Sequence, residues 1–418
     1  MKRLLHLVNL CLMGFLSLVM FVACNDEVEP VEEDPVNVLP FEPAGPEAAP
    51  DPMRFGPFPV GVTTLDLFDE ERLDAQTGEP RLLRLEIWYP AAQAVAEGPF
   101  DSYDLTAEAT PENLGDAYEA VSTADLPLLQ TRSVRDAEMD REHAPYPLVF
   151  FSHGSNGIRW QSIFHTVLLA SHGYVVISPD HVGNTIWELI RDGWDPGAVL
   201  TAAPQRIDDM TFLLDVFERK NEALEDFFYH SFDRWRVGIT GHSFGGWTTL
   251  GVMCKDDRFS VGVAQAPEIP MAVAYCDFDD FPGPLMVMGG TLDEALGWRN
   301  QYCGYQALGG DAQKVLVELE GAGHFSFSDI CSLDLLSLSE QVDMGGQAED
   351  ALNDGCADFN MPYMVAHDVI NHYSVAFFNY YLRNAPAAMD DVVDLDAPPF
   401  NQVNFWDGQA PDWPDGGC

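Results

Sequence analysis

A serine set between closely spaced glycines is the feature that most constrains this chain. It lies in the segment Gly241, His242, Ser243, Phe244, Gly245, which directly follows the apolar run RVGIT and precedes a helix-like stretch. A serine on a tight strand-to-helix turn holds a strained backbone, so its flanking positions must be nearly free of side chain. The segment therefore predicts a nucleophile elbow, with the Ser243 hydroxyl projecting above a sheet.

The pattern of apolar runs around this segment predicts the fold class. From about residue 81 the chain alternates short apolar runs with longer amphipathic ones, without an internal repeat. Such alternation indicates an α/β fold with a mostly parallel central sheet and helices on both faces. We predict strands at 83–89, 147–152, 174–178, 236–240, 261–264, 285–288 and 315–319, and helices at 160–171, 205–220, 244–254, 294–307 and 364–382.

Two residues downstream of the elbow are candidate partners for its serine. A serine hydroxyl becomes a good nucleophile only when a base takes its proton and a third group orients that base. In folds with this elbow the order is serine, acid, histidine. Asp293 follows the apolar run LMVMGG, and His324 follows the strand-like KVLVELE through the small residues GAG. We predict Asp293 as the acid and His324 as the base, with Glu268 in AQAPEIP as the alternative acid.

Backbone amides are the expected donors to the oxyanion of such a reaction. One comes from the residue after the nucleophile and one from the loop after an earlier strand. Phe244 supplies the first. The run PLVFFSHGSNG leaves a buried strand at a turn that lets backbone approach a ligand, and there we choose the amide of Ser155.

Five further side chains adjoin these motifs and are predicted to border the pocket: His153, Asp180, His181, His242 and Phe325. For the four polar side chains, securing the loops is the alternative role, because buried polar groups commonly serve that purpose.

The N-terminal segment has the features of an export signal. Lys2 and Arg3 precede an apolar run that ends FVAC, which resembles the lipobox at which bacterial lipoprotein signals are cleaved. We predict that residues 1–24 are such a signal and that acylated Cys24 attaches the protein to a membrane. An uncleaved anchor and an ordinary cleaved signal are the alternatives. Residues 25–53 lack lysine and arginine and are expected to be a disordered tether.

The remaining chain is assigned to one domain and a tail. Residues 54–388 are predicted to form the α/β domain. Within it, 326–360 is a polar, glycine-containing insertion that is either a lid or decoration. Residues 389–418 are predicted to be an acidic C-terminal tail. Oligomeric state is left open.

Charge and cysteine content exclude several classes of partner and site. The chain has 21 basic against 67 acidic residues and a formal charge of −46, so it repels nucleic acid and other polyanions. Six cysteines follow Cys24 in an even number, which predicts up to three disulfides of open pairing. None of them forms a C-x-x-C pair, so we expect no metal site, and the predicted chemistry requires no organic cofactor.

Five segments together carry a family resemblance: PLVFFSHGSNGIRW, LASHGYVVISPDHVGN, RIDDMTFLLD, GHSFGGWTTL and GAGHFSFSD. Over roughly residues 80–385 the chain resembles the platelet-activating-factor acetylhydrolase and chlorophyllase-like group, which includes bacterial proteins called predicted dienelactone hydrolases. The resemblance implies Ser243 as nucleophile, His324 as base, and the amides of Ser155 and Phe244 as oxyanion donors.

The chain also departs from this group at two points. In the acetylhydrolase branch the acid follows the strand after the nucleophile helix, where this chain offers Glu268, whereas Asp293 matches the more general α/β-hydrolase position. Dienelactone hydrolases proper use a cysteine nucleophile, but this elbow carries Ser243.

The motifs predict hydrolysis of a neutral carboxylic ester, either a small molecule or a lipid, through an acyl-enzyme. Peptide or amide cleavage by the same residues is one alternative. A surface lipoprotein that binds ligands without turnover is the other. The predicted location is the bacterial cell envelope, periplasmic or at the cell surface, with secretion as a variant.

Overall fold

The computed structural model describes residues 50–74, 78–333, 338–339, 346–386, 388, 400–411, 413 and 418. The predicted signal with Cys24, and residues 25–49 of the predicted tether, lie outside the described residues.

Twelve strands are found in the described residues, ten of them in one sheet. They are β1 Val60–Leu73, β2 Pro80–Pro90, β3 Ser102–Tyr103, β4 Leu129–Gln130, β5 Ser133–Arg135, β6 Tyr146–Ser152, β7 Val175–Pro179, β8 Phe232–His242, β9 Phe259–Gln265, β10 Leu285–Gly290, β11 Lys314–Leu319 and β12 Val403–Asp407. The sheet order is β12-β11-β10-β9-β8-β6-β7-β2-β1-β5, and β3 and β4 pair separately.

The middle of this sheet is parallel. Strands β6 to β11 pair in parallel with their neighbours, so their carboxyl ends lie at one edge. At the margins β2 runs antiparallel to β7 and β12 antiparallel to β11. Each of the seven predicted strands is found within a few residues of its expected bounds.

Helices cover both faces of the sheet. Their bounds are α1 Pro111–Leu114, α2 Tyr118–Ser122, α3 Ile163–Ser171, α4 Ile186–Asp192, α5 Pro196–Glu222, α6 Phe244–Lys255, α7 Trp298–Ala307, α8 Gln347–Ala351 and α9 Tyr363–Arg383. Short 3₁₀ segments lie at Gln93–Val95, Gly115–Ala117, Pro270–Ala274, Phe278–Asp280, His324–Phe327 and Asp329–Ser332, and a single π-turn at Leu352–Cys356.

Alternate residues of the central strands enter different halves of the core. Val149 and Phe151 of β6 join the cluster that includes α3 and α9. Leu148 and Phe150 join the cluster that includes α5, α6 and α7. Because both faces are buried, these strands must be apolar throughout, which is why their continuous runs could be identified in the sequence. The predicted α/β class is confirmed.

The predicted C-terminal tail, 389–418, requires correction. Within it, β12 pairs along β11 from Leu319↔Val403 to Val315↔Asp407 and extends the main sheet. The short run VNFWD buries Val403 but stands between acidic and proline-rich segments. The composition of this region therefore did not indicate a strand.

A long N-terminal strand was also missing from the sequence interpretation. β1 pairs antiparallel with β2 over most of its length. Its exposed face carries Thr64, Asp66 and Phe68, so charged residues interrupt the apolar pattern that marks the buried strands.

Three disulfides join the six cysteines that follow Cys24: Cys254–Cys276, Cys303–Cys418 and Cys331–Cys356. Disulfides of this kind belong to an oxidising compartment. Among the helices described, none is long and apolar enough to cross a bilayer.

Candidate active site

The elbow forms where β8 passes into α6. β8 ends at His242 and α6 begins at Phe244, so Ser243 alone makes the turn, with φ 57° and ψ −118°. A non-glycine residue with positive φ of this kind is strained, and such strain persists only when the surroundings enforce it. The Ser243 amide donates to the Gln265 carbonyl at 2.8 Å, which fixes the turn against β9.

The glycine at 245 is required by the close approach of β6. A Cβ atom built there would lie 1.8 Å from the Ser152 carbonyl oxygen, and one built at Gly241 would lie 2.6 Å from the same atom. Real Cβ atoms do not come this near to backbone oxygen. The small residues around Ser243 therefore let the elbow pack against the end of β6.

Ser243, His324 and Asp293 lie in one continuous line of hydrogen bonds. His324 Nε2 is 2.8 Å from Ser243 Oγ, and His324 Nδ1 is 2.8 Å from Asp293 Oδ2. The three residues follow β8, β11 and β10, whose parallel carboxyl ends bring their loops together. Ser243 is half-buried, whereas His324 and Asp293 are buried.

Charge and hydrogen bonding set the ionisation of this pair. Burial favours the neutral forms, but the Asp293 carboxylate outweighs burial and raises the pKa of His324 above its ordinary value of 6.5. Likewise burial would raise the pKa of Asp293, yet His324 and the donors around the carboxylate lower it to about 2. The carboxylate is therefore ionised and holds a proton on His324 Nδ1, which leaves Nε2 free to accept.

Asp293 is held by three donors besides His324. Its Oδ1 accepts from the amides of Leu296 at 2.8 Å and Gly297 at 3.3 Å. Its Oδ2 accepts from Gln301 Nε2 at 2.6 Å. These bonds come from the segment that follows β10 and from α7, so the carboxylate is fixed in place before any substrate arrives.

Glu268, the alternative acid, is half-buried and accepts no hydrogen bond from His324 in the described part of the chain. Burial, together with the nearby Asp293 charge, raises the pKa of Glu268. The geometry brings Asp293, and not Glu268, to the histidine.

His242 forms a hydrogen bond with the backbone of the proposed base, His324. It is buried, its Nε2 donates to the His324 carbonyl at 2.9 Å, and its Nδ1 accepts from Gln161 Nε2 at 2.8 Å. Burial is the main reason that the pKa of His242 falls to about 3. The imidazole is therefore neutral, as one donor and one acceptor bond require.

The two amides predicted to bind an oxyanion are free of protein acceptors in the described residues. Neither the Ser155 nor the Phe244 amide donates to another protein group there. A Cβ at Gly154 would lie 3.4 Å from Ser243 Cβ, so the loop after β6 runs beside the nucleophile.

A buried arginine sets the direction of this loop. Arg206 on α5 donates to the His153 carbonyl at 2.6 Å and to the Gly154 carbonyl at 2.9 Å. Its guanidinium also lies 4.5 Å from the centre of the Phe244 ring. In a trans peptide the carbonyl and the next amide point in opposite directions. With the Gly154 carbonyl turned toward Arg206, the Ser155 amide points away from it.

Three of the predicted pocket residues are buried and contact other protein groups. His153 Nδ1 donates to the Gly154 carbonyl at 2.7 Å. His181 lies between Ser152 Oγ at 3.0 Å and Asp209 Oδ2 at 2.9 Å. Asp180 pairs with Arg159 at 2.9 Å. These contacts correspond to the loop-securing alternative, because the side chains bind protein groups.

Phe325 stays beside the site. Its half-buried ring lies edge-on to His324, with 5.3 Å between ring centres, and packs against the small cluster formed by α8.

Sequence interpretation did not single out Arg206, Gln161 or Asp354. Gln161 joins two site loops, since its Oε1 accepts from the Gly154 amide at 2.8 Å while its amide donates to His242. Asp354 reaches the site from the predicted insertion. A signal existed only for Arg206, which belongs to the RIDDMTFLLD segment already noted in the resemblance.

Two family models match parts of the chain. The model described as platelet-activating factor acetylhydrolase, isoform II, matches residues 51–187, and that of the prolyl oligopeptidase family matches residues 221–281. A platelet-activating factor acetylhydrolase of Cavia porcellus is 26% identical over 270 residues, covering 57% of this chain and 58% of its own. This chain has the α/β-hydrolase fold and is similar to the platelet-activating-factor acetylhydrolase-like group.

Further relatives of this α/β-hydrolase are esterases by name. A probable 1-alkyl-2-acetylglycerophosphocholine esterase of Arthroderma benhamiae is 28% identical over 234 residues, covering 51% of this chain and 57% of its own. A ferulic acid esterase structure from Streptomyces cinnamoneus has a TM-score of 0.61 at 23% identity, covering 83% of this chain and 96% of its own, which shows the fold alone. The chain spans about half the length of the curated relatives it matches.

Proposed function

We propose that this protein hydrolyses neutral carboxylic esters through an acyl-enzyme formed on Ser243. The observation that carries the proposal is the pair of 2.8 Å contacts that link Ser243 Oγ, His324 and Asp293. This arrangement supplies a nucleophile, a base with a free lone pair on Nε2, and a carboxylate that stabilises the imidazolium.

The reaction then runs in two halves. Ser243 Oγ attacks the ester carbonyl carbon while His324 Nε2 takes the hydroxyl proton. The tetrahedral intermediate collapses, its bond to the alcohol oxygen breaks, and His324 returns the proton to the leaving alcohol. Water then attacks the acyl carbon while His324 Nε2 takes one of its protons. The bond from the acyl carbon to Ser243 Oγ breaks, His324 returns the proton to Oγ, and the carboxylic acid leaves. Asp293 remains ionised throughout.

The amides of Phe244 and Ser155 are the proposed oxyanion donors. Support comes from their lack of protein acceptors in the described residues and from the anchoring of the Gly154 carbonyl by Arg206. Donors that are fixed before the reaction stabilise the developing charge without a cost of reorganisation.

The proposed substrates are small or lipid esters without a strong negative charge. With a formal charge of −46 the protein repels polyanions, and the acetylhydrolase and esterase names of its relatives favour short acyl groups.

A peptide or amide bond is the second candidate substrate. The match to the prolyl oligopeptidase family over residues 221–281 favours it, because that span contains the elbow. The same three residues can form an acyl-enzyme from an amide. The third reading, a ligand-binding lipoprotein without turnover, predicts no hydrolysis of either class.

One experiment separates these readings. The full-length protein and its Ser243→Ala variant are assayed on p-nitrophenyl esters from acetate to octanoate, and on acylated peptide p-nitroanilides. The proposal expects ester turnover that the variant loses, with rates that rank the acyl lengths. Turnover of anilides alone would support the peptidase, and equal ester rates in both proteins would refute the role of Ser243.

We also propose that the protein is exported and anchored through an acylated Cys24. The FVAC sequence and the three disulfides support this location. Expression in a bacterial host with labelled palmitate should label the wild-type protein but not the Cys24→Ser variant. Label in neither protein would contradict the lipid anchor.

A further inference from the structure

One carboxylate joins the loops that carry the proposed acid and base. Asp354 Oδ1 accepts from the His324 amide at 2.8 Å. Its Oδ2 accepts from the amides of Glu294 at 3.1 Å and Ala295 at 2.9 Å. The side chain is buried, and it uses both of its oxygens for these bonds.

The bonded amides belong to His324 itself and to the two residues after Asp293, and the side chains of Asp293 and His324 are in contact at 2.8 Å. Glu294 and Ala295 directly follow Asp293 in the loop after β10, and the third amide is that of His324, in the loop after β11. A shift of the Asp354 carboxylate would therefore move both loops relative to each other. Misplacement of a reacting group by about 1 Å can cost on the order of a hundredfold in rate.

The backbone around Asp354 is itself held tightly. Gly355 adopts φ 145°, and its amide donates to Asn360 Oδ1 at 3.2 Å. A Cβ at Gly323 would lie 2.4 Å from the Asp354 carbonyl carbon, so the loop before His324 packs directly on this turn. Cys356, which follows Gly355, is disulfide-bonded to Cys331 of the segment Asp329–Ser332.

We infer that Asp354 is a positioning residue, which holds the Asp293 and His324 loops at the separation that the proton transfer requires. The inference rests on the proposed function and assigns a catalytic purpose to the insertion. It does not require the insertion to move as a lid.

The charge of Asp354 gives a second, independent effect. The charged and titratable groups that interact with His324 are Asp293, Asp354 and His242, and Glu268 interacts with Asp293. Asp293 contributes most of the rise in the pKa of His324, and Asp354 adds to it. Removing the Asp354 charge should therefore lower that pKa and move the acidic limb of the rate profile to lower pH.

The test compares Asp354→Asn with Asp358→Asn in the full-length protein. Asp358 belongs to the same insertion and is exposed, so its substitution makes the same charge change without the amide contacts. In Asp354→Asn an NH₂ group faces at least one of the amides that donate to the wild-type carboxylate. We expect kcat for p-nitrophenyl acetate to fall about ten- to a hundredfold with KM within about twofold, and the acidic limb to move down. Asp358→Asn should match the wild type.

Asp354→Glu separates position from charge. It keeps the negative charge but carries its oxygens one methylene further, so kcat should fall while the acidic limb stays near the wild-type pH. Rates are normalised to active sites titrated with a fluorophosphonate, so that an unfolded fraction does not enter kcat. Wild-type kcat in Asp354→Glu and Asp354→Asn would overturn the inference. If Ser243→Ala retained full activity, the proposed function itself would fail.

Discussion

The identity of the triad acid gives the sharpest mutational prediction. In Asp293→Asn the amide oxygen can still accept from Leu296 and Gly297, which leaves its NH₂ group at the position of Oδ2. There the NH₂ group faces Gln301 Nε2 and His324 Nδ1, both of which donate to Oδ2 in the wild-type protein. His324 can relieve this conflict by moving its proton to Nε2, and it then has no lone pair for the Ser243 proton.

The expected loss follows from that change of tautomer. A serine hydrolase with its triad aspartate changed to asparagine loses roughly 10⁴ in kcat, which is about 5 kcal/mol in activation free energy. Glu268→Gln makes the same change of charge in a carboxylate that does not contact His324, so its kcat should change by less than about threefold. Both variants are assayed on p-nitrophenyl acetate on the alkaline plateau of the wild-type rate profile, with circular dichroism to check the fold. A larger loss in Glu268→Gln than in Asp293→Asn would refute the assignment of Asp293.

Three further predictions follow from the same geometry. The pKa of His324 is raised above 6.5, and at pH values below that pKa the imidazole is protonated and cannot act as a base. The value of kcat/KM should therefore fall as the pH drops through a midpoint above 6.5. A midpoint below 6.5 would contradict the electrostatic account. Arg206→Met should lower kcat at least about tenfold through loss of an oriented oxyanion donor, whereas the exposed Arg219→Met, measured in the same assay, should not. Gly245→Ala forces a Cβ against the Ser152 carbonyl, so it should lower the free energy of unfolding, measured in urea, by more than about 2 kcal/mol; wild-type stability would show that the elbow is less closely packed.

Much of the fold could be predicted because its central strands are buried on both faces. Strands such as β6 and β10 are buried along their whole length, and their apolar runs stand out from the amphipathic helices between them. The marginal strands lack this signal. β1 alternates charged with apolar residues, and β12 is a five-residue strand within acidic sequence.

The proposed site shows a similar division. Ser243, Asp293 and His324 each follow a buried strand, so strand order and the known sequence of nucleophile, acid and base were enough to select them. Their supporting residues come from distant segments without a motif. Asp354 reaches His324 from a polar insertion that gave no periodic signal, and only the packed loops bring it there.

The buried polar residues near the motifs were harder to interpret. The sequence places His153 and His181 beside strand ends, but it does not tell which way each side chain points. In the folded chain both are buried against Ser152, Gly154 and Asp209 and stabilise the loop from inside.

The most direct test of the central proposal is covalent labelling of the nucleophile. The full-length protein is treated with a fluorophosphonate, digested, and the modified residue is located by mass spectrometry. The account predicts a single adduct on Ser243, formed rapidly in the wild type and at least about a hundredfold more slowly in His324→Ala, because that variant lacks the base. An adduct on another residue, or an esterase that remains active with Ser243 unlabelled, would contradict it.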